Sequence, residues 1–445
     1  MMRAFALAAP LHSAMRARLG AYLRKLLAWQ RSLRAWPAPV RAPDATPFVS
    51  VYAKGELRGC FASDDGSPGE RLARAFLLAA HDKRFGGLGA AHRDGALIVL
   101  SYATGARPIE ASRAASEIEI GVEGLVFVRD GAPPVILLPQ VARDRRFDSA
   151  SFVAALAQKA KASLETGSLF AFETTDILSI GAKLPKRDPI ALAADHLEGL
   201  VARDGSLTFA IDARTGARTP LGPMHHGRAA VVVRALDAAR RKRTAARARR
   251  RLERDVESAL GGRPPPAWPE DDDRVAGTLA LVALAGVDLR DALRRARPTS
   301  AWHTAQVALA LGDRALVRKC AADLDATPWA PWTLLAARAT GETKTARRIA
   351  GTLVQTIRAD RPHRGGVAAA GPVPEIALTA IAVEALAGER EAAAIARARA
   401  FLLRWQSVPC GPVDPSVAAG AFPLSPIDDR LRCDVTAHAL LALLP

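Results

Sequence analysis

The pattern of apolar and polar residues changes near the middle of the chain. Before residue 187, short apolar or alternating runs that are typical of strands are interleaved with helical patterns. This first part has a mixed closing segment at residues 170–180. Its predicted helices are 11–36, 69–83 and 149–163, and its predicted strands are 48–52, 56–63, 96–102, 125–129 and 135–138. We therefore predict an α+β domain over residues 1–187.

After residue 187 the pattern becomes almost wholly helical. One hairpin remains, formed by residues 207–211 and 218–221. Trp302 and Trp332 each open a helix that ends near a glycine, and a period of about 30 residues suits stacked helical hairpins. We predict an all-α domain over residues 188–445, with helices at 275–286, 300–311, 314–325, 330–340, 343–358, 374–387, 389–405 and 434–444.

Length and composition place the protein among globular multidomain proteins. A chain of 445 residues exceeds what one hydrophobic core usually serves, and 49% hydrophobic with 24% charged residues is ordinary. Since no apolar run reaches the ~18 residues of a membrane span, we expect no membrane insertion and a cytoplasmic protein. The four cysteines, Cys60, Cys320, Cys410 and Cys433, show no C-x-x-C spacing, which argues against a zinc ribbon and fits a reducing compartment.

The formal net charge of +17 has two explanations, an anionic partner or the arginine enrichment of a GC-rich genome. The strongest basic run, residues 240–254, holds nine basic residues and one acid. Such a stripe can grip phosphates, but no aromatic residue interleaves to stack on bases. We favour a solvated helix and do not expect nucleic acid as a partner.

The segment Leu57-Arg58-Gly59-Cys60 lies on the second strand of the first predicted hairpin. Because side chains alternate along a strand, we expect Arg58 and Cys60 on one face and Leu57 and Phe61 on the other. A nearby guanidinium favours the thiolate, which is the nucleophilic and metal-binding form of cysteine. Gly59 allows a close backbone or ligand approach. The alternative interpretation is that Cys60 is a small buried hydrophobic residue.

The same segment resembles the signature of the AMME-syndrome chromosomal-region (AMMECR-type) domain. The resemblance extends in order over about 140 residues, so the spacing of its segments matches as well. Three departures stand out: Phe61-Ala62 for a usual Ile-Gly, Phe147 for a tryptophan and Lys161 for a glycine. The matching segments are Ala79 to Phe85, Leu97 to Ser101, Ile120 to Leu125, Leu137 to Ala142, and the helix with Phe152, Lys159 and Ala160.

This resemblance implies an α+β domain of two subdomains with a cleft lined by the cysteine motif. Asp82 and Arg84 would line the cleft, or would form an ion pair at a helix end. His81 and His92 lack a second ligand at metal spacing and are expected to be surface residues. The residues assigned to the cleft are Cys60 and Arg58 as catalytic groups, and Gly59, Asp82, Arg84, Ser101 and Gln140 as ligand contacts.

Relatives in bacteria and archaea are often associated with a Memo-like protein and a radical SAM enzyme. The resemblance therefore implies these two partners, together with a small-molecule or protein substrate, although the biochemical activity of the family is unsettled. No cofactor is implied.

The helical half resembles the (α/α) toroids of terpenoid-cyclase and glycan-processing proteins. Residues 379–386 and 434–443 share a helix-opening pattern, and residues 401–406 and 420–422 add a helix-end pattern, but the acidic motif of the cyclases is missing. We expect hairpins around a hollow. The last helix is apolar on nearly every side, so we expect it to contact both the first and the penultimate hairpins and to close a ring.

Asp434 and His438 stand at positions i and i+4 of the last helix and therefore share one helix face. With Cys433 nearby they form a weak candidate for a metal site. The alternative, which we favour, is an N-cap aspartate and a core histidine, with no metal.

Two functional hypotheses follow from the sequence. In the first, the protein is an enzyme, or a substrate-handling subunit of an enzyme system, that uses the Cys60 cleft. In the second, it is a non-catalytic binding or scaffold protein whose helical half docks a partner or a glycan-like ligand. The sequence does not decide whether the protein is an enzyme.

Overall fold

The structure is a computed structural model that divides the chain into two compact units. The first comprises Met1–Pro185 with two short later segments, and the second comprises most of the remaining chain. The predicted boundary at residue 187 lies outside the described residues. The structure describes residues 7–9, 11–32, 37–38, 40–89, 96–179, 188–213, 216–222, 225–259, 273–296, 298–322, 330–369, 373–387, 392–406 and 418–444.

In its described residues, the first unit is an antiparallel sheet of six strands with helices on both faces. The strand order is β2-β1-β3-β6-β4-β5, so β2 and β5 are the edge strands. The elements are α1 (Ser13–Ser32), β1 (Pro47–Ala53), β2 (Glu56–Ala62), α2 (Pro68–Ala80), β3 (Leu97–Ile109), α3 (Ala114–Glu117), β4 (Glu123–Val128), β5 (Val135–Leu137), α4 (Pro139–Arg145), α5 (Ser149–Ala160) and β6 (Ser168–Leu178).

Three elements of this unit, α3, α4 and β6, were not predicted from the sequence. The mixed closing segment is strand β6, which pairs with β3 on one side and β4 on the other. Strand β5 ends at Leu137, as expected for a strand that stops before Pro139, but Pro139 also begins α4, because proline fits the first turn of a helix, where its missing N–H costs nothing.

Side-chain alternation along β1 separates two hydrophobic clusters. Val49 and Val51 pack with leucines of α1 and α2 on one face of the sheet. Phe48 points to the other face and packs with Leu138, which immediately precedes α4. We call this second side the α4 face of the sheet. Each fully buried large apolar side chain contributes roughly 1.5–3 kcal/mol, so both helical layers are held firmly against the sheet.

The described part of the second unit is largely helical, with one small antiparallel sheet of strand order β8-β7-β10-β9. The sequence-based prediction missed the helices at residues 189–200 and 290–295 and the strands at residues 423–425 and 428–432. The elements are α6 (Pro189–Leu200), β7 (Thr208–Ile211), β8 (Arg218–Pro220), α7 (His226–Ala238), α8 (Lys242–Ala259), α9 (Asp273–Leu284), α10 (Arg290–Arg295), α11 (Ala301–Leu311), α12 (Arg314–Ala322), α13 (Ala330–Ala339), α14 (Thr343–Thr356), α15 (Ile376–Leu386), α16 (Ala392–Trp405), β9 (Pro423–Ser425), β10 (Asp428–Arg432) and α17 (Cys433–Leu443).

The helices contact one another in a series that returns to its starting point. Helix α7 packs on α9, α9 on α11, α11 on α13, α13 on α15, α15 on α17, and α17 on α7. The helices α8, α12, α14 and α16 each pack on the helix that precedes them. The last helix is buried on nearly every side, which is why its sequence lacks a polar stripe. No helix in the described part of the chain has both the length and the apolar character needed to cross a bilayer.

We expect a fragment of residues 1–187 to fold alone, because the first unit has its own core on both faces of the sheet. Circular dichroism should show a cooperative thermal transition for this fragment. A fragment that lacks cooperative unfolding, while the full chain retains it, would show that the two halves share a core.

The second unit should lose stability in acid through His363, a buried residue between α14 and α15. Burial lowers the pKa of His363 to about 3, and the nearby Arg358 and Arg404 add to the shift. An unfolded histidine has a pKa near 6.5. Below that pH the unfolded state therefore binds a proton at His363, whereas the folded state does not until the pH approaches its lower pKa. The free energy of unfolding should therefore fall by up to about 1.4 kcal/mol per pH unit as pH drops from 6.5 toward 3.

The variant His363→Asn tests this contribution, since asparagine does not titrate and tolerates the positive φ of 59° at this position. Urea unfolding at pH 7 and pH 5 should show a smaller loss for the variant than for the wild-type chain. Equal losses in the two proteins would mean that His363 is protonated in the folded state.

Candidate functional site

Cys60 lies on the edge strand β2, where the pairing with β1 is irregular. Cys60 is opposite Ser50 and Leu57 is opposite Tyr52, but a register shift leaves Arg58 outside the pairing. One unpaired residue in a strand reverses the in-and-out alternation beyond it.

This bulge corrects the predicted distribution of side chains along the motif. Leu57 packs with Tyr52, whereas Phe61 packs in the core formed with α1 and α2, so the two do not share a face. Cys60 packs with Phe48 on the α4 face. The prediction that Leu57 and Phe61 share one face of a regular strand is therefore wrong, and Arg58 lies at the irregularity, outside the pairing.

Arg58 is engaged by a neighbour on its own strand. Its guanidinium forms an ion pair with Glu56, with 2.6 Å between Nη2 and Oε2. The cations that act electrostatically on the Cys60 thiol are Lys159 and Arg84. The proposed catalytic role of Arg58 consequently gains no support from the geometry.

The Cys60 thiol lies in mostly apolar surroundings with one hydrogen bond. Ser50 Oγ donates to the sulfur over 3.3 Å, and Phe48 and Leu138 belong to the same cluster. Burial raises the pKa of the Cys60 thiol, and Ser50, Lys159 and Arg84 offset that rise only in part. This direction gives no support to an activated thiol and favours the alternative of a small, partly buried cysteine.

The backbone of Cys60 is held by Asp82 and Arg84, which follow α2. Cys60 N–H donates to Asp82 Oδ2 over 3.2 Å, and Arg84 Nη2 donates to the Cys60 carbonyl over 2.9 Å. Arg84 also forms an ion pair with the same carboxylate, with 2.8 Å between Nη2 and Oδ2. Asp82 and Arg84 thus form a helix-end ion pair that also clamps the cysteine strand; we call it the Asp82–Arg84 clamp.

Asp82 is almost fully buried, at 3% exposure. Burial alone would raise the pKa of its carboxyl, but the hydrogen bonds from Arg84 and from the Cys60 amide outweigh it and hold the pKa below its ordinary value. The carboxylate therefore stays ionised and keeps accepting both bonds.

Gly59 is required by the close approach of α2 to β2. A Cβ at this position would overlap the carbonyl oxygen of Ala79 and would lie 2.8 Å from the Cβ of Asp82. The glycine thus allows the end of α2 to bring Asp82 to the backbone of Cys60, which gives Gly59 a packing role.

Ser101 and Gln140 belong to the α4 face. Ser101, on β3, is fully buried and pairs in register with Phe48 on β1 and Asp176 on β6. Gln140, in the first turn of α4, is 4% exposed. Neither of its side-chain amide atoms has a hydrogen-bond partner among the described residues. The structure thus places Ser101, Gln140 and the Cys60 thiol on the same side of the sheet.

Several residues that bear on this site were not assigned to it from the sequence. Ser50 was not identified from the sequence because its pairing with Cys60 depends on the register of the hairpin. Asp176 was not identified because consecutive polar residues around it break the alternation expected of a strand. Lys159 carries the cation that Arg58 was expected to supply. His81 is exposed, and His92 and Cys410 lie outside the described residues.

In the second unit, Asp434 and His438 have different partners. Asp434 forms ion pairs with Arg432 and, over 3.6 Å, with Arg228. Burial would raise the pKa of Asp434, but these arginines outweigh it and hold the pKa low. The N-cap of α17 is Arg432 and not Asp434, so the predicted N-cap assignment is corrected. Within the described residues, no group of three or more His, Cys, Asp or Glu side chains is placed to hold a metal ion.

His438 lies one turn further along α17, beside Glu384 of α15. His438 Nδ1 is 4.0 Å from Glu384 Oε2, and the imidazole meets the edge of Trp332 at 6.2 Å between ring centroids. Arg234 of α7 donates to Glu384 Oε1 over 3.1 Å. Burial would raise the pKa of Glu384, but His438 and Arg234 hold it below its ordinary value. The polar cluster of Arg234, Glu384 and His438 joins three helices, α7, α15 and α17.

The basic stripe lies on α8, and several of its arginines are engaged within the second unit. Arg241 pairs with Asp195, Arg249 with Asp237 and Ala285, and Arg251 with Asp204 and Asp255. Ala245, Ala248 and Leu252 are buried on the opposite side of the helix. These intramolecular pairs reduce the charge available to phosphates.

Replacing Gly59 with alanine should destabilise the protein by about 1–3 kcal/mol, because a rigid backbone carbonyl occupies the space of the new methyl group. Urea unfolding followed by circular dichroism measures the loss. The matched control is Gly199→Ala in α6, where nothing lies within 4 Å of the new Cβ and a helical alanine is favoured. Equal stability of the Gly59→Ala variant and the wild-type chain would contradict the close packing of α2 on β2.

Comparison with known proteins places the first unit in a family. Residues 19–175 match the AMMECR1 family. No curated protein matches the chain. Among solved structures, an uncharacterised protein from Pyrococcus horikoshii is similar at 19% identity and a TM-score of 0.32, over 37% of this chain and 91% of that one. The N-terminal part of the chain, at residues 19–175, is an AMMECR1 domain.

Proposed function

We propose that the AMMECR1 domain handles a small-molecule or protein substrate on its α4 face, with Cys60 in contact with it. The observation that carries this proposal is the arrangement around Cys60. The Asp82–Arg84 clamp holds the cysteine backbone, while the thiol lies on the side that also bears Ser101 and the unsatisfied amide of Gln140. Fixing a reactive group through its backbone is typical of sites that need accurate placement.

The chemistry available to Cys60 is that of a neutral thiol. Its pKa is raised by burial, so a nucleophilic step would need the proton to leave when substrate binds. Ser50 hydrogen-bonds to the sulfur and Lys159 contributes positive charge, so both favour the thiolate once it forms. We propose that the protein acts as an enzyme or as a substrate-handling subunit of an enzyme system.

A Memo-like protein and a radical SAM enzyme are the proposed partners. This part of the proposal rests on the family resemblance alone. Co-purification of the full chain with each of these proteins from the same genome would support it, and the absence of both genes from that genome would remove it.

The alternative function assigns binding to the helical unit. We propose that this unit is an (α/α) toroid, and the series of helix contacts from α7 around to α17 and back to α7 supports a closed arrangement. A non-catalytic protein would use it to dock a partner or a glycan-like ligand. The polar cluster of Arg234, Glu384 and His438 is the feature that favours this alternative.

The proposed function predicts how Cys60 reacts with a small thiol reagent, methyl methanethiosulfonate. Wild-type Cys60 should react more slowly at pH 7 than free cysteine, and its rate should rise as pH approaches and exceeds the raised pKa. It should still react before Cys433, which is fully buried. Peptide mass spectrometry after timed quenching gives the rate at each residue.

Two matched variants identify the cation that acts on the thiol. Lys159→Met should slow the reaction of Cys60, because it removes a charge that favours the thiolate. Arg58→Met should leave the rate unchanged, because Arg58 is paired with Glu56. Fast labelling of Cys60 at pH 7 that is lost in Arg58→Met would instead support a thiol activated by Arg58. A Cys60 that no small reagent reaches in the folded protein would refute the proposed site.

A further inference from the structure

A cavity of about 530 Å³ lies in the helical unit, between the β7–β8 hairpin and the helices α7 and α8. Cavities of this volume hold small molecules in many proteins. Among the described residues, the polar cluster of Arg234, Glu384 and His438 takes no part in its lining. The cavity is therefore distinct from the polar groups that surround the last helix.

The walls of the cavity follow from the periodicity of three elements. On β8, Arg218 and Pro220 are two residues apart, so they share one face of the strand. Thr208 of β7 is the register partner of Pro220, and His226 and Ala229 line the cavity from the first turn of α7. The lining residues of α8 are spaced as one stripe of a helix: Ala248, Arg251, Leu252, Asp255 and Ser258.

Most of the lining is apolar. Leu207 and Leu252 are buried, and Leu221 is half-buried. Water gains little from contact with such a wall, whereas the hydrocarbon part of a ligand is stabilised there. The lining therefore favours a ligand that is apolar over most of its length.

Two of the three charged side chains that line the cavity neutralise each other. Arg251 Nε donates to both carboxylate oxygens of Asp255, over 2.8 and 3.0 Å. Arg251 also forms an ion pair with Asp204 over 3.3 Å, but Asp204 lies outside the lining and its side chain is 58% exposed, so solvent screens its charge. Arg251 is thus already engaged and is not available to a ligand.

Arg218 is the third charged residue of the lining. It is exposed on the edge strand β8 and has no hydrogen bond or ion pair among the described residues. A guanidinium binds a carboxylate through two parallel N–H···O bonds. One unpaired cation matches one carboxylate, whereas the second negative charge of a phosphate ester would face the carboxylate of Asp255.

We propose that this cavity binds a small organic acid, with its carboxylate on Arg218 and its apolar body against Leu207, Leu221 and Leu252. The exposure of Arg218 leaves the carboxylate partly hydrated at the mouth, so little of its hydration is lost on binding. This site belongs to the helical unit and does not depend on the site at Cys60.

Four probes share one apolar chain and differ in the head group: hexanoate, hexanamide, hexylamine and hexyl phosphate. In ligand-observed NMR titrations of the full chain, hexanoate should bind most tightly. Hexanamide should bind at least about tenfold more weakly, because it has no charge to pair with Arg218. Tighter binding of hexylamine would show that Asp255 and Asp204 dominate the cavity, and tighter binding of hexyl phosphate would show that Arg251 is available. Either result would overturn the assignment.

The apolar lining predicts a dependence on chain length. Affinity should rise roughly tenfold from acetate to butanoate, and again from butanoate to hexanoate, because each step removes two methylene groups from water. Equal affinities for the three acids would mean that only the carboxylate is bound at the surface, which would refute the cavity as the site.

Two pairs of variants locate the ligand. Arg218→Met should weaken hexanoate binding at least about tenfold and remove the preference for hexanoate over hexanamide. Its control is Arg203→Met, at an exposed arginine outside the lining. Leu221→Ser should weaken the binding of hexanoate but not that of acetate, and its control is Leu403→Ser, at an exposed leucine of α16. Both controls should bind hexanoate as the wild-type chain does.

Melting temperatures separate a lost site from a lost fold. Because Arg218 is exposed and has no partner among the described residues, Arg218→Met should melt at the same temperature as the wild-type chain. Saturating hexanoate should raise the melting temperature of the wild-type chain but not that of Arg218→Met. If hexanoate does not bind the wild-type chain, or binds a folded Arg218→Met equally well, the proposed site is refuted.

Discussion

The hydrogen bonds between the Asp82–Arg84 clamp and the backbone of Cys60 are the constraint on which the site depends. An edge strand has outward-facing N–H and C=O groups that solvent or another strand would otherwise engage. Here a buried carboxylate accepts the N–H and a guanidinium donates to the carbonyl. The clamp requires α2 to end against β2, and Gly59 is the residue whose missing side chain permits that contact. A glycine, an ion pair and a cysteine that look like separate features of the motif are thus one packing arrangement.

The direction of the thiol depends on a second constraint, the bulge at Arg58. With regular alternation the arginine and the cysteine would lie together, and the thiolate would be favoured. The unpaired residue instead leaves Arg58 with Glu56 and Cys60 with Ser50, Phe48 and Leu138. In apolar surroundings the neutral thiol is preferred. The cations that oppose this preference, Lys159 and Arg84, are far from Cys60 in the sequence and act on the sulfur because the fold brings them near it. The chemistry of the motif is therefore set by tertiary packing.

The sequence predicted those features that depend on local pattern. Most helices of the second unit, the first hairpin and the AMMECR1 family all follow from periodicity or from short motifs. Strand β6 was not recognised because its polar residues, such as Asp176, break the alternation that marks a strand. Helix α4 was not recognised because Pro139 was taken as a stop. The bulge, the pairing of Ser50 with Cys60 and the burial of Gln140 depend on register and on contacts between distant segments, which a single sequence does not encode locally.

In the helical unit, the contacts of the last helix with distant helices also include polar residues. Its last helix has two ionisable residues besides Cys433, namely Asp434 and His438, and they lie beside groups from distant parts of the chain, Arg228 on α7 and Glu384 on α15. Glu384 is in turn held by Arg234, 150 residues earlier. Buried ion pairs add little net stability, because desolvation offsets most of the attraction, but a misplaced partner leaves a costly unpaired charge. An apolar helix can shift along its neighbours at small cost, whereas the ion pair of Asp434 with Arg228 favours one position of α17 against α7. The ion pair between Asp434 and Arg228 therefore favours one position of α17 against α7, while the apolar residues of α17 supply most of the packing energy.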